Sequence, residues 1–541
     1  MESVILSGPG PVKIRRKYPL PSGFDDPYDS NFDPLYNSDP FAPQEEPEEE
    51  AEPYFVWRRN APFLYDAVSV YNLEWPSLTV DFMDDSKSFR VKNGSLTQRL
   101  LLGTHTSGSE TEFAMVAELR TGVYSLRENM TTCENYNGFV SARKNRENNP
   151  AQPSYPSLDI KAKIVHPGEV NRISHVPGTH FSFVTQSNNG TLYQFDYSKH
   201  PFNPRDVKTS LPQLVLGGGH SSEGYGITWN SSKKLVSCAT DGSLCLWDLN
   251  ARSATQTKSH SGVADSVPVL TPVSTYSNAS ASFTTSGSHK SSSSNANSKY
   301  TSNSNTNNTS NADSKYTSNS NSNNNDSNSG EEKNALNDVE FLYNDDNVVL
   351  TASDDGNVYL VDLRSASTGK RNNDLSKFNT DLSHSSQLSN CVETAMTSVA
   401  SVDSGVNCLS VNTFNSNYFV CGCENGDIYL YDLRMPSKSV LLLDHHKESV
   451  SQIEFNRACC GLFASSSNDA TVCVFDLGCR GQELRFVHQG HKAQVNDISW
   501  AKLNPYEAGH VGFTLASVSQ DNLLQCFTPN YSSLRTHKYK Q

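Results

Sequence analysis

The sequence predicts an all-β protein, a seven-bladed β-propeller with an N-terminal helix and disordered acidic and polar segments. Two observations carry that expectation: one hairpin unit recurs along the chain, and its copies return every ~40–50 residues once two polar stretches are set aside. The clearest copy is Asp241-Gly-Ser-Leu-Cys-Leu-Trp-Asp-Leu249, a turn dipeptide followed by an alternating run and an aromatic–Asp close. Period-two alternation marks a strand with one buried face, and Asp-Gly supplies a tight hairpin turn. Further copies begin at Asn189, Asp355, Asn425 and Asp469, with a degenerate one at Asp521. The aromatic–Asp endings are of the WD-repeat (WD40) type, and ring closure hides the sheet edges that an open array would expose.

The chain has 541 residues, enough for several domains, but blades that share one closed architecture remove that expectation. A formal net charge of −14 opposes general nucleic-acid binding, which needs a basic field to displace counterions from phosphate. It suits a basic partner, as it suits many soluble proteins. No segment approaches the ~20 continuous apolar residues of a membrane span, and the start of the chain lacks the basic and apolar regions of a secretory signal, so no membrane association is expected. The 12 cysteines are scattered, often on strands (Cys238, Cys245, Cys473). Cys421-Gly-Cys423 and Cys459-Cys460 lack the paired, loop-borne spacing of a zinc site, so buried free thiols and no metal are expected.

Residues 1–53 are rich in Pro, Asp and Glu, culminating in the run from Glu45 to Pro53, and cannot bury enough apolar surface to order. Within them, Lys13-Ile-Arg-Arg-Lys17 reads either as a nuclear address or as a solvated charge run. Residues 54–76 read as helical. A short helix covers Phe55–Asn60, and a second opens at Asn60, with Pro62 in its first turn and Phe63, Leu64, Ala67, Val68 and Tyr71 on one face. Pro76 ends it, because the residue before a proline is pushed to extended geometry.

Residues 77–530 hold the blades, with Ser77–Phe82 expected to complete the last one and close the ring. Blade one takes Arg99–Thr106 and Phe113–Leu119, blade two Ile164–Asp196 and blade three Leu216–Asp248. Blades four to six end at Asp362, Asp432 and Asp476, and the seventh near Phe527. Gly219-His220 and Gly490-His491 suit buried networks with the turn aspartates and, in blade three, Trp247. Residues 264–334 and 365–402 read as low-complexity, disordered loop insertions, and 531–541 as a short basic tail.

A propeller is a scaffold, so function must come from a site. There is no His-Glu-x-x-His, Gly-x-Ser-x-Gly, phosphate loop or Cys-x-x-Cys, and neither an enzyme nor a cofactor is expected. Polar residues instead gather at the blade entrances: Glu169, Asn171, Arg172, Glu223, Tyr225, Asn337, Asp338, Asp354, Asn407, Glu448, Asn496 and Asp497. Converging carboxylates and amides suit a cationic extended peptide, because charge-assisted bonds to Lys or Arg are strongest when partly desolvated. Asp338 and Asp497 read better as braces of turns; Glu169, Glu223 and Tyr225 read as binding residues.

Several runs are more specific: Val56-Trp-Arg-Arg-Asn-Ala-Pro-Phe-Leu-Tyr-Asp66, Leu73-Glu-Trp-Pro-Ser-Leu-Thr79, Leu102-Gly-Thr-His-Thr-Ser107, Gly168-Glu-Val-Asn-Arg172, Phe195-Asp-Tyr-Ser-Lys-His-Pro201 and Glu223-Gly-Tyr-Gly226. With these the chain resembles the retinoblastoma-binding family of WD-repeat histone-binding proteins. The resemblance implies a nuclear protein that binds histones H3 and H4 as a shared subunit of chromatin-assembly, histone acetyltransferase, deacetylase or Polycomb-type complexes. It implies that the channel mouth holds the H3 tail, with Glu169, Asn171 and Glu223 accepting bonds from a lysine. Asn337, Asp354 and Asn407 would meet the amino terminus and first arginine, while Glu74, Pro76, His105, Arg172 and Tyr225 match cofactor-peptide positions. The chain departs from the family in carrying Asn337, Ser449 and Gln520 for acids and Ser451 for an aromatic, so a less acidic mouth is expected.

The resemblance also implies a side groove for the first helix of H4, formed here by Phe55, Trp57, Arg58, Phe63 and Leu64. Phe475-Asp-Leu-Gly-Cys-Arg-Gly-Gln-Glu-Leu484 lacks the family's acidic blade-six loop, and Pro43, Pro47 and Pro53 forbid its long helix, so H4 binding is expected to be weakened or rebuilt. A related alternative is a WD-repeat chaperone of a basic ribosomal protein, whose members share the Glu-Trp-Pro-like run and acidic N-terminus; the Lys-His-Pro run favours the histone reading.

Overall fold

The computed structural model describes residues 53–84, 90–92, 95–122, 157–201, 210–250, 255–256, 267–277, 334–364, 396–436, 438–502 and 513–530. The acidic N-terminus, the basic cluster at 13–17, most of both loop insertions and the tail from 531 lie outside these residues.

The strands form seven sheets. Six run from the channel outwards in chain order. Blade 1 is Val80–Phe82, Ser95–Gly103, Phe113–Gly122 and Ser157–Val165. Blade 2 is Val170–His175, Ser182–Ser187, Leu192–Asp196 and Leu214–Leu216, and blade 3 is Gly226–Trp229, Lys234–Cys238, Ser243–Asp248 and Ser274–Ser277. Blades 4, 5 and 6 begin at Leu336–Leu342, Val406–Val411 and Val450–Phe455. Blade 7 begins at Val495–Trp500, continues through Leu515–Ser519 and Leu523–Pro529, and takes its outermost strand from Tyr65–Asn72 near the other end of the chain.

That closing strand corrects the sequence reading in two ways. Tyr65–Asn72 is not a second helix; it pairs antiparallel with Leu523–Pro529 and seals the ring. The apolar spacing that suggested a helix competes with β-branched and aromatic residues at Val68, Val70 and Tyr71, and the unpaired edge of the last blade decides between them. Val80–Phe82, expected to complete the last blade, is instead the innermost strand of blade 1. The blade limits shift by one strand as well: Ile164 and Leu216 belong to the outer strands of the preceding blades. Both loop insertions are shorter than their composition suggests, because Ser274–Ser277 completes blade 3 and Thr397–Ser401 completes blade 4. Tyr276, fully buried and donating to Leu363 O at 2.7 Å, anchors the first of these. Pro268–Leu270 returns to extend blade 2, pairing parallel with Leu214–Leu216.

Each blade buries Val, Leu, Ile and Phe against the next, and a repeated polar bond staples neighbours around the channel. Asp81 accepts from His175 N at 3.0 Å, Asp338 from Leu409 N at 3.1 Å and Glu340 from Val411 N at 2.7 Å. Glu454 accepts from Trp500 N and Asp497 from Val80 N, both at 2.8 Å. Asp338 and Asp497 therefore brace blades, where the sequence suggested turns. The His networks form as expected. His220 bonds Ser237 Oγ (2.6 Å), which also accepts from Trp247 Nε1 (2.8 Å), while His491 bonds Ser517 Oγ (2.7 Å) and Asp521 (3.4 Å).

The helix Pro53–Leu64 packs on the outer wall of blades 6 and 7. Trp57 Nε1 donates to Tyr65 Oη, and that hydroxyl donates in turn to His488 Nδ1, each at 2.7 Å. His488 stacks on Phe527 at 3.9 Å, and burial first, then His491, hold its pKa well below the usual imidazole value. It therefore stays neutral and can accept at Nδ1.

Candidate functional site

One local device aims the mouth residues. In five blades the innermost strand carries a β-bulge at its second residue: the ladder skips between Val170 and Arg172, Leu336 and Asp338, Val406 and Cys408, Val450 and Gln452, and Val495 and Asp497. The skipped residues are Asn171, Asn337, Asn407, Ser451 and Asn496. A bulge leaves its extra residue unpaired and re-aims the side chain, here along the ring towards the next blade. Asn337 Nδ2 donates to Val406 O (2.9 Å), Asn407 Nδ2 to Val450 O (3.1 Å), Ser451 Oγ to Val495 O (2.5 Å) and Asn496 Nδ2 to Ser77 O (2.8 Å). Asn171 Nδ2 instead reaches Glu223 Oε2 at 3.3 Å. The sequence marked the asparagines as polar residues at blade entrances but not their bulges; the signal was a Val-Asn, Leu-Asn or Val-Ser pair opening each inner strand.

These residues surround a cavity of about 450 Å³ at one mouth of the channel, lined among others by Asn171, Arg172, Tyr225, Asn337, Asp354 and Asn407. Its floor is ionic. Arg172 Nη1 donates to Asp497 Oδ1 at 3.0 Å, and although burial works against its charge, Asp497 and Asp338 outweigh it and raise its pKa. Burial lifts Asp338 to about 6 against the pull of Arg172.

Glu169 lines an adjoining pocket of about 360 Å³ between blades 1 and 2, with Glu110, Glu112 and His166. His105 Nε2 lies 3.6 Å from Glu169. Tyr225 is 39 % exposed, and burial of its remainder, then Glu223 by charge and hydrogen bond, then Glu169, raise its pKa. Glu169, Glu223 and Tyr225 thus converge on one face. Glycines on both sides of Tyr225 permit this: a Cβ at Gly224 would lie 2.1 Å from Gln186 Nε2, and one at Gly226 would lie 2.4 Å from Cys238 Sγ.

The Leu73–Thr79 run reaches the same rim. Pro76 O accepts from His105 N at 3.0 Å, Trp75 Nε1 donates to Glu110 at 3.0 Å, and Glu74 pairs with Lys163, which also lies over the Phe113 ring. Glu74 is therefore partly neutralised. In the Lys-His-Pro run, His200 packs edge-on against Phe195 and lies 3.4 Å from Gln213 Oε1, while Lys199 is exposed and 3.6 Å from Asp196, which caps the turn Tyr197–Lys199.

The expected side-groove residues sit elsewhere, on the helix. Trp57 is buried in the core and Leu64 packs against it, whereas Phe55 and Phe63 are half exposed, at 51 % and 49 %. The blade-six connection after Asp476 is a tight turn, with Asp476 N bonding Glu483 O at 2.8 Å and Gln482 N bonding Cys479 O at 2.9 Å. Among the described residues no group of three or more His, Cys, Asp or Glu is placed to hold a metal, and no helix is long and apolar enough to cross a membrane.

Residues 52–121 match the family described as histone-binding protein RBBP4 or a subunit of the CAF1 complex, and residues 213–248 and 396–432 match the WD domain, G-beta repeat. The chain is 33 % identical over 210 residues to probable histone-binding protein rba-1 of Caenorhabditis elegans, covering 38 % of this chain and 48 % of that protein. It is 34 % identical over 227 residues to histone acetyltransferase type B subunit 2 of Schizosaccharomyces pombe, covering 42 % and 47 %. The match thus spans about half the length of these relatives. The resemblance read from the sequence motifs holds.

Proposed function

We propose that this chain is a non-enzymatic, nuclear histone-binding scaffold subunit of chromatin-assembly or histone-modifying complexes, and that the channel mouth holds a cationic histone tail. One observation carries this reading: Glu169, Glu223 and Tyr225 converge beside Asn171 on a concave polar rim. Two carboxylates and an amide at one rim are the acceptors an ammonium group needs, and partial desolvation strengthens each bond. The likeness of residues 52–121 to a histone-binding family supports histone as the partner.

On this reading Glu169, Asn171 and Glu223 hold a tail lysine, Tyr225 packs against its stem, and Asp354 and Asn407 meet the flanking chain. Histone H4 is the weaker partner. The helix that would clasp it has 12 residues, and the tight blade-six turn offers no acidic arm. The test is to mix the full chain with refolded H3–H4 and with H3–H4 lacking the H3 tail, followed by size exclusion. Co-elution that depends on the H3 tail supports the proposal; failure to co-elute with intact H3–H4 overturns it.

A further inference from the structure

The fold leaves one polar group in the central cavity unfinished. Gln452, on the innermost strand of blade 6, lines that cavity yet is only 6 % exposed. Its Oε1 accepts from Ile453 N at 3.1 Å, which identifies the other terminal atom as Nε2. Nε2 has no partner among the described residues, and it is not one of the polar atoms sealed away from solvent. A donor this deep costs about 1–3 kcal/mol unless something in the cavity accepts from it. Arg172 adds donors to the same cavity. Its Nη1 is spent on Asp497 Oδ1, while no described residue accepts from Nε or Nη2.

Acceptors line the cavity too, and the bulges decide which atoms they are. Asn337 and Asn407 give Nδ2 to Val406 O and Val450 O, so each keeps Oδ1, bonded to no described residue, for a ligand. The two carboxylates of the lining are already engaged: Asp338 accepts from Val339 N and Leu409 N, and Asp354 from Asn337 Nδ2. These atoms decide what can fill the space. A cation is a donor only, so its N–H groups would face those of Gln452 and Arg172 and leave them unpaired. A carboxylate is an acceptor only. It would stand beside Asp338 and Asp354, and the arginine charge that would draw it is already matched by Asp497. An apolar side chain leaves every donor unpaired. A carboxamide carries one acceptor and two donors on one uncharged planar group, which is the complement of this lining.

We infer that the central cavity is a carboxamide subsite, which takes a glutamine or asparagine side chain of the bound peptide. The amide oxygen accepts from Gln452 Nε2 and Arg172, and the amide NH2 donates to Oδ1 of Asn337 and Asn407. The inference rests on the mouth being a peptide site, as proposed above, and names a second side chain that this site recognises. Such a subsite discriminates well, because every wrong side chain leaves donors buried without an acceptor in the complex.

The test is calorimetry of the full chain with short peptides of equal length, each carrying a central lysine among Ser and Thr. One Gln is moved through the other positions and compared at each with Leu, Glu and Lys. At one position Gln is expected to bind about tenfold tighter than Leu or Glu, the equivalent of one hydrogen bond to a buried donor. There it should also overtake Lys, which long-range charge favours at the remaining positions. Gln452→Glu keeps the acceptor for Ile453 N and removes the Nε2 donor, so the preference for Gln should disappear. A thermal midpoint close to that of the wild type shows that the variant is folded, and the scan on the wild-type chain tests the inference without it. The inference is overturned if Gln is preferred at no position, or if folded Gln452→Glu keeps the preference unchanged. Peptides that bind, weaken in Glu169→Gln and show no preference for Gln leave the peptide site standing and remove the subsite alone. Failure of every peptide to bind overturns both.

Discussion

Replacing Gly224 with alanine perturbs the site through packing alone. The added Cβ would lie 2.1 Å from Gln186 Nε2 and 2.2 Å from Cys238 O. These two atoms are bonded to each other at 2.9 Å in the seam between blades 2 and 3. Gln186 is fully buried, and Cys238 O is backbone at the end of a buried strand, so neither can swing aside. Overpacking of this kind costs about 1–3 kcal/mol, and a buried amide forced off its acceptor adds about 1–3 kcal/mol. A loss of about 2–6 kcal/mol is expected from these two effects, read as a lower urea midpoint with an unchanged slope. Peptide binding should weaken in parallel, because Glu223 and Tyr225 flank the displaced glycine. Gly217→Ala is the control: its Cβ meets nothing nearer than 3.7 Å, so the change should stay within about 0.5 kcal/mol. A Gly224→Ala protein as stable as that control would refute the reasoning.

Further outcomes follow from the same contacts. Tyr65→Phe removes the hydroxyl shared by Trp57 and His488 and leaves both ring nitrogens unpaired in the core; it should cost about 2 kcal/mol and speed hydrogen exchange along Pro53–Leu64. Arg172→Met leaves Asp497, which is 1 % exposed, without its counter-charge and should cost about 2–3 kcal/mol in a urea titration, less than a fully buried pair because the arginine reaches solvent. Burial holds Asp338 at about 6 and Glu340 at about 7. The folded chain therefore binds these protons more readily than the unfolded chain, so the stability they contribute is present in acid and is lost as pH rises from about 4 to about 7. Thermal melts across that window should show a falling contribution that flattens in Asp338→Asn; an unchanged slope would contradict the assignment.

The ring was legible because its signals are local. Asp241-Gly242 and its counterparts specify turns, alternation specifies strands, and His220 with Trp247 specifies the bond between them. The way the ring closes was not legible, because it is a non-local choice. Residues 65–72 satisfy a helical spacing and a strand composition at once, and only the open edge of Leu523–Pro529 selects the strand. Composition misled in a similar way at Ser274–Ser277, where a serine-rich stretch hides one buried aromatic, Tyr276. At the site, residue types at blade entrances pointed correctly to Glu169, Glu223 and Tyr225 as neighbours. The bulges that turn Asn337, Asn407 and Asn496 onto the next blade depend on ladder register, which side-chain pattern alone does not fix.

Titration of an H3-tail peptide into the full chain and into its Glu169→Ala/Glu223→Ala variant tests the central claim most directly. Loss of two charge-assisted acceptors should weaken binding by about tenfold or more while the thermal midpoint stays put. Equal affinity in both proteins would mean that the rim does not hold the tail.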